Sequence, residues 1–223
     1  MVKNQERAEN YWKQEGVEFN EFYGRVGGFS PRKIISRFLE KRTKTLREFI
    51  GEVVGKNILD LGCGSGVQMR EFAPSCQKIV GVDISEPMLE VARKLLKALP
   101  KRNWELFYAD ARHLPFADQS FGIIFTLGLL DYVADSGAVL RECRRLLKPG
   151  GSIIFTIPKK PSPFSFFRTP SGIPLRRWLF HLPPIVNVVS KKKLAHLAEI
   201  CGLSIINAVS IWQTMWMVKA KKI

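Results

Sequence analysis

Acidic residues almost vanish from the last third of this sequence. Residues 143–223 hold fourteen Lys and Arg against a single acid, Glu199, so this part carries a net +13 of the chain's +15. Residues 1–142 are nearly balanced. A surface meant for a cationic partner is thereby excluded from the C-terminal part, and an anionic partner is implied. Cysteine is also scarce. Cys63, Cys76, Cys143 and Cys201 stand far apart and form no C-x-x-C pair, which argues against a zinc knuckle and against a disulfide framework, so no metal is expected. No apolar run reaches the length of a membrane-spanning helix, because Gly, Pro or Arg breaks each candidate. The start, MVKNQERAENYWK, has no apolar core of a signal peptide, and the expected location is cytoplasmic. No internal repeat is present.

What the sequence does hold is a regular alternation. Residues 1–54 are expected to form an N-terminal helical cap. From Ser30 onward Ile34, Ile35, Phe38, Leu39, Leu46, Phe49, Ile50 and Val53 recur at helical spacing, with Arg32, Arg37, Lys41, Lys44 and Glu48 on the other face. Ser30 and Pro31 suit an N-cap and a first helical position. Residues 17–29, with three glycines, predict a loop. Short apolar strands then alternate with helices: strands at 57–61, 78–83, 106–110, 122–128 and 152–158, and helices from Val67, from Ser85 and over Asp135–Leu147. A helix over Lys191–Cys201 and strands near 203–210 and 213–221 complete the pattern. Apolar strands joined by helices predict an α/β fold, a parallel sheet covered on both faces. Residues 158–189 interrupt the rhythm with seven of the thirteen prolines, five aromatic residues and no acid. An insert of that length at a strand's carboxyl end predicts a lid over a binding site.

The chemistry-bearing residues cluster at strand ends. Asp60-Leu61-Gly62-Cys63-Gly64-Ser65-Gly66 joins a strand to a helix. Its glycines permit positive φ and close approach of a ligand to the backbone, and the following helix offers unpaired N–H groups. The same spacing also serves an unliganded turn. It does not fit the dinucleotide fingerprint G-x-G-x-x-G/A, whose last position falls on Val67 or Met69. Asp83 closes the second strand, where a carboxylate can accept both hydroxyls of a ribose or simply cap the helix behind it. Asp110 ends the third strand, as a ligand or as a turn residue. Cys63 is read as a small filler and His113 as a packed or solvated histidine.

The D-x-G-x-G-x-G loop, the acids Asp83 and Asp110, and the stretch ARHLPFADQSFGIIF resemble the Rossmann-like (class I) S-adenosylmethionine-dependent methyltransferases. The order LGLLDYV followed by ADSGAVLRECRRLLKPGG is similar to the subgroup that includes quinone-biosynthesis enzymes. The resemblance covers residues 57–157 well and is looser over the last two strands. It implies a three-layer sandwich on a seven-stranded, mostly parallel sheet with an antiparallel last strand. It also implies a methyltransferase domain over residues 55–223 that contains the 158–189 insert.

The resemblance implies S-adenosyl-L-methionine as cofactor, with Asp60, Gly62, Cys63, Gly64, Gly66, Asp83, Ile84, Asp110, Ala111 and Leu127 as its binding residues. Asp60 would reach the cofactor's amino group, Asp83 the ribose, and Asp110 with the Ala111 amide the adenine. Asp131-Tyr132 stands where many members of the subgroup carry Glu-His, so no catalytic residue is assigned. The Asn/Asp-Pro-Pro-Tyr/Phe motif of amino-directed nucleic-acid and protein methyltransferases is missing. The expected reaction is methyl transfer to a small amphiphilic or anionic acceptor. An RNA acceptor and a non-catalytic, cofactor-binding partner subunit are the alternatives. An anionic membrane surface is a further candidate partner for the basic C-terminal part, ahead of RNA. The oligomeric state is unknown from sequence.

Overall fold

The computed structural model describes residues 10–12, 31–162, 185 and 187–223, with the side chains of 31–35 outside the description. The predicted loop 17–29, the Ser30 cap and most of the 158–189 insert lie outside these residues. A single sheet organises the rest. Its strands are β1 (Asn57–Leu61), β2 (Lys78–Asp83), β3 (Trp104–Tyr108), β4 (Phe121–Thr126), β5 (Leu147–Pro158), β6 (Leu203–Ile211) and β7 (Met215–Lys222). They lie in the order β3-β2-β1-β4-β5-β7-β6. Neighbours among β1 to β5 pair in parallel, and only β7 runs antiparallel to both of its neighbours. The order reverses beside β1, which opens a crevice at the carboxyl ends of β1, β2 and β4.

Alternating residues of each strand feed two cores, one on each face. Ile58, Ile79, Ile123, Phe125, Ile154, Met215 and Met217 meet helices α1 (Pro31–Ile50), α2 (Val67–Phe72) and α3 (Glu86–Leu96). Leu59, Leu61, Val80, Val82, Ile124, Ile153 and Phe155 meet α4 (Ser136–Leu146) and α5 (Lys191–Ile200). This period-two division is why the strands read as continuous apolar runs. Ser85, Asp135 and Ser190 each accept an N–H of their helix's first turn.

Several expected boundaries shift: the fifth strand, expected over 152–158, begins at Leu147, and the last, expected near 213–221, spans Met215–Lys222. The third strand was expected over 106–110 but spans Trp104–Tyr108, because its register against β2 ends at Asp83↔Tyr108. Asp110 lies two residues further on and forms a turn, its Oδ1 accepting the Arg112 amide at 2.9 Å. The fourth strand starts at Phe121 and ends at Thr126, so Leu127 and Gly128 belong to the loop above it.

Glycine is required where α2 leaves β1 and where it crosses β2. Gly66 caps α2 at φ 75°, with no side chain covering the helix's first N–H groups. Gly81 has no such φ, but a β-carbon there would stand 2.3 Å from Met69 Sδ and 2.9 Å from Cys63 Sγ. The glycine loop therefore sits directly on the sheet.

Candidate active site

The loop above β1 turns through Gly62, Gly64 and Gly66, all at positive φ. Its amides are tied to β2: Gly62 and Cys63 N–H both donate to the Val82 carbonyl, at 2.8 and 3.0 Å. Asp83 completes the link. Its Oδ2 accepts the Gly64 amide at 2.8 Å and its Oδ1 accepts the Ser85 amide at 2.9 Å. Burial pushes the Asp83 carboxyl upward in pKa, and these backbone donors oppose that shift. The Ile84 amide adds a third backbone interaction with the same carboxylate. Ser85 takes the helix-capping role, its hydroxyl accepting Met88 N–H at 3.4 Å.

Gly62, Asp83, Ile84, Asp110 and Ala111 line one cleft, with Trp12, Arg112, Leu129, Tyr132 and Val133 as further walls. The other sequence-derived residues surround it. Cys63 is buried among the residues of the α1 side, and burial pushes its thiol far up. Gly66 packs against Ala92 of α3, and Leu127 packs on the same core. Asp110 does not present a bare carboxylate. Arg112 grips it with Nε at 3.0 Å from each oxygen and Nη2 on Oδ2, and this pair holds the Asp110 carboxyl below its usual range.

Asp60 is set apart at the end of β1. It is 3% exposed, and its Oδ2 makes no hydrogen bond among the described residues. Burial raises its carboxyl pKa strongly, the charge of Asp83 adds to this, and Arg42 counters it. An orphaned buried carboxylate beside a glycine loop is costly unless a cationic donor reaches it. The α-amino group of an amino acid is a donor of that kind.

Arg42 is the residue that the sequence did not reveal. It stands on α1, its Nη1 is 3.6 Å from where a Gly128 β-carbon would lie, and its Nε has no partner among the described residues. Burial lowers its pKa, while Asp131, Tyr132 and Asp60 attract its charge. Its signal was available: Phe38, Arg42, Leu46 and Phe49 follow one helical face, and an arginine on an apolar stripe calls for a buried partner. Trp12 is the second addition. It lies edge-on to Tyr132 with ring centroids 5.3 Å apart, and it walls the cleft. Among the described residues, no group of three or more His, Cys, Asp or Glu is placed to hold a metal ion.

A glycine loop after β1, an acid at the end of β2 and another just past β3 stand together at the switch point of a Rossmann-like sheet. Residues 59–155 match the family model described as a methyltransferase domain. A demethylmenaquinone methyltransferase of Lactococcus lactis is 39% identical over 117 residues, covering 51% of this chain and 46% of the relative. A ubiquinone biosynthesis O-methyltransferase of Stutzerimonas stutzeri is 33% identical over 116 residues, covering 51% of this chain and 50% of the relative. The chain thus spans about half the length of these curated relatives. Magnesium protoporphyrin IX methyltransferase from Synechocystis PCC 6803, solved with SAH bound, superposes with a TM-score of 0.77 at 16% identity, covering 99% of this chain and 100% of that one. That likeness establishes a shared fold.

Proposed function

We propose that this protein transfers the methyl group of S-adenosylmethionine to a small acceptor that is amphiphilic or anionic. The observation that carries the proposal is the buried, orphaned Oδ2 of Asp60 opposite Arg42, at the foot of the glycine loop. A methionine moiety has the matching pair of charges. Asp60 would take its ammonium and Arg42 its carboxylate. Asp83 would take the ribose hydroxyls, and the Asp110 and Ala111 segment the adenine.

When bound, the cofactor supplies a methyl group already activated on a sulfonium. The protein's part is then to align the acceptor with the methyl–sulfur bond and to keep water away. Trp12, Leu129, Tyr132 and Val133 form the apolar part of the wall that would do so. A base is required only for an acceptor that is protonated at working pH. Asp131 and Tyr132 lie within electrostatic range of Arg42, and Tyr132 lines the cleft. The names of the relatives, which include demethylmenaquinone, support a small-molecule acceptor.

Thermal shift and calorimetry with S-adenosylmethionine, its demethylated product and NAD test the binding half. Saturable response to the first two and none to NAD is expected. Transfer of labelled methyl groups into fractions of a cell extract tests the reaction. Labelled product confined to nucleic acid would overturn the small-acceptor assignment.

A further inference from the structure

Beside the cleft, the carboxyl rim of the sheet carries a surface that cofactor binding does not use. Three segments meet there. The β6–β7 hairpin turns through Trp212 and Gln213, at φ 47° and 57°, with Thr214 N–H donating to the Ile211 carbonyl at 2.9 Å. Turns with two successive positive φ angles are usually filled by Asn and Gly, since a larger side chain is crowded there. The Trp212 ring meets Phe38 edge-on at 5.8 Å, and the residue remains 39% exposed. Lys159, at the end of β5, donates its amide to Thr214 at 2.9 Å and its Nζ to Ser210 Oγ at 3.2 Å. Lys160 donates its amide to Val189 at 2.9 Å, which brings the start of α5 alongside. Lys160, Lys191, Lys192 and Lys193 are all exposed, and the first turn of α5 holds no acid. Cations in the first turn of a helix oppose its dipole. Two local preferences are thus broken side by side on one rim, the pattern expected of a surface shaped for a partner.

We propose that this rim, formed by Trp212, Lys160 and Lys191 to Lys193, docks on an anionic lipid bilayer. Tryptophan belongs to the interfacial zone of a bilayer, and lysines nearby add attraction to anionic headgroups. Among the described residues, the exposed rim cations are lysines. A lysine is a point charge suited to a diffuse anionic surface, whereas arginine dominates where phosphates are gripped bidentately. Among the described residues the rim presents one exposed tryptophan, short of the successive aromatic platforms on which single-stranded RNA stacks. The docked rim would turn the cleft mouth toward the bilayer, the source of an amphiphilic acceptor. That last consequence rests on the methyl-transfer proposal, but the docking does not.

Flotation of the full chain with phosphatidylcholine vesicles, with and without about 30% phosphatidylglycerol, tests it, measured from about 0.05 to 0.5 M salt. The expected result is binding to the anionic vesicles only, weakening as salt rises. Lys191→Glu/Lys192→Glu/Lys193→Glu should lower partitioning by about a hundredfold or more, and Trp212→Ser by several-fold. A Lys→Gln triple variant replaces the charge reversal if the latter does not fold. Both variants should respond to the demethylated cofactor as the parent does. Failure of the parent to bind anionic vesicles, or equal binding by the variants, overturns the proposal. So does a total-RNA complex that is tighter than vesicle binding and lost with the same lysines. Vesicle binding without any cofactor response would instead count against the methyl-transfer proposal alone.

Discussion

The amide of Gly64 donates to Oδ2 of Asp83 at 2.8 Å, so the glycine loop after β1 and the acid that ends β2 form one hydrogen-bonded unit. Asp83 thereby shapes the loop as well as facing the cleft. Its replacement should be felt in both roles.

Asp83→Ala is expected to weaken cofactor binding roughly ten- to hundredfold, since hydrogen bonds to a charged group are worth about 1.5–3 kcal/mol. Calorimetry with the demethylated cofactor measures this. Asp118→Ala is the control: that carboxylate is 69% exposed and pairs with Arg145, away from the cleft. Equal affinity in Asp83→Ala and the parent would remove Asp83 from the site.

Asp60 should trade stability for binding. Its carboxyl pKa is raised on folding, so the folded state holds a proton more tightly than the unfolded one. Stability from this group is present below the unfolded pKa of about 3.9 and declines as pH rises through the folded value. At neutral pH the buried charge is a cost. Asp60→Asn should therefore raise the melting temperature of the cofactor-free protein, by about 2–4 °C for each kcal/mol relieved. The gain should shrink toward acid pH, and cofactor affinity should fall. A melting temperature unchanged at neutral pH would contradict the assignment of a buried carboxylate whose charge is only partly offset.

Arg42→Ala should affect the amino-acid end of the cofactor selectively. The parent is expected to prefer the demethylated cofactor over methylthioadenosine, which lacks the amino-acid end. The variant should lose about tenfold or more of that preference, the size of a charge-assisted hydrogen bond. An undiminished preference would place the carboxylate elsewhere.

Gly81→Ala tests the contact between α2 and the sheet. The added methyl would press on Met69 Sδ, Cys63 Sγ and Leu106 Cδ2. Overpacking costs about 1–3 kcal/mol, and the shift in unfolding midpoint should show it. Adding Met69→Ala should recover part of the loss, so the two changes should not sum. Strict additivity would mean that the helix yields without strain.

The sequence by itself determined the strand–helix alternation, the helix cap at Ser85, and the loop that links Asp60 to Gly66. These are local: they depend on side-chain periodicity, on φ freedom and on hydrogen bonds within a few residues. It also placed Gly62, Asp83, Ile84, Asp110 and Ala111 at consecutive strand ends, and the parallel register gathers those five into one cleft. Only the tertiary structure decided the rest. Arg42 comes within electrostatic range of Asp60 because α1 packs across β5, β6 and β7, and no spacing along the chain encodes that crossing. Arg112 closes on Asp110 because β3 ends two residues early, leaving the segment free to turn. Trp212 and Lys191 to Lys193 share a rim because β7 inserts between β5 and β6. For Arg42 and for the Trp212 rim, the deciding packing joins elements distant in sequence. Its free energy comes from burial and charge pairing that exist only once the sheet has assembled.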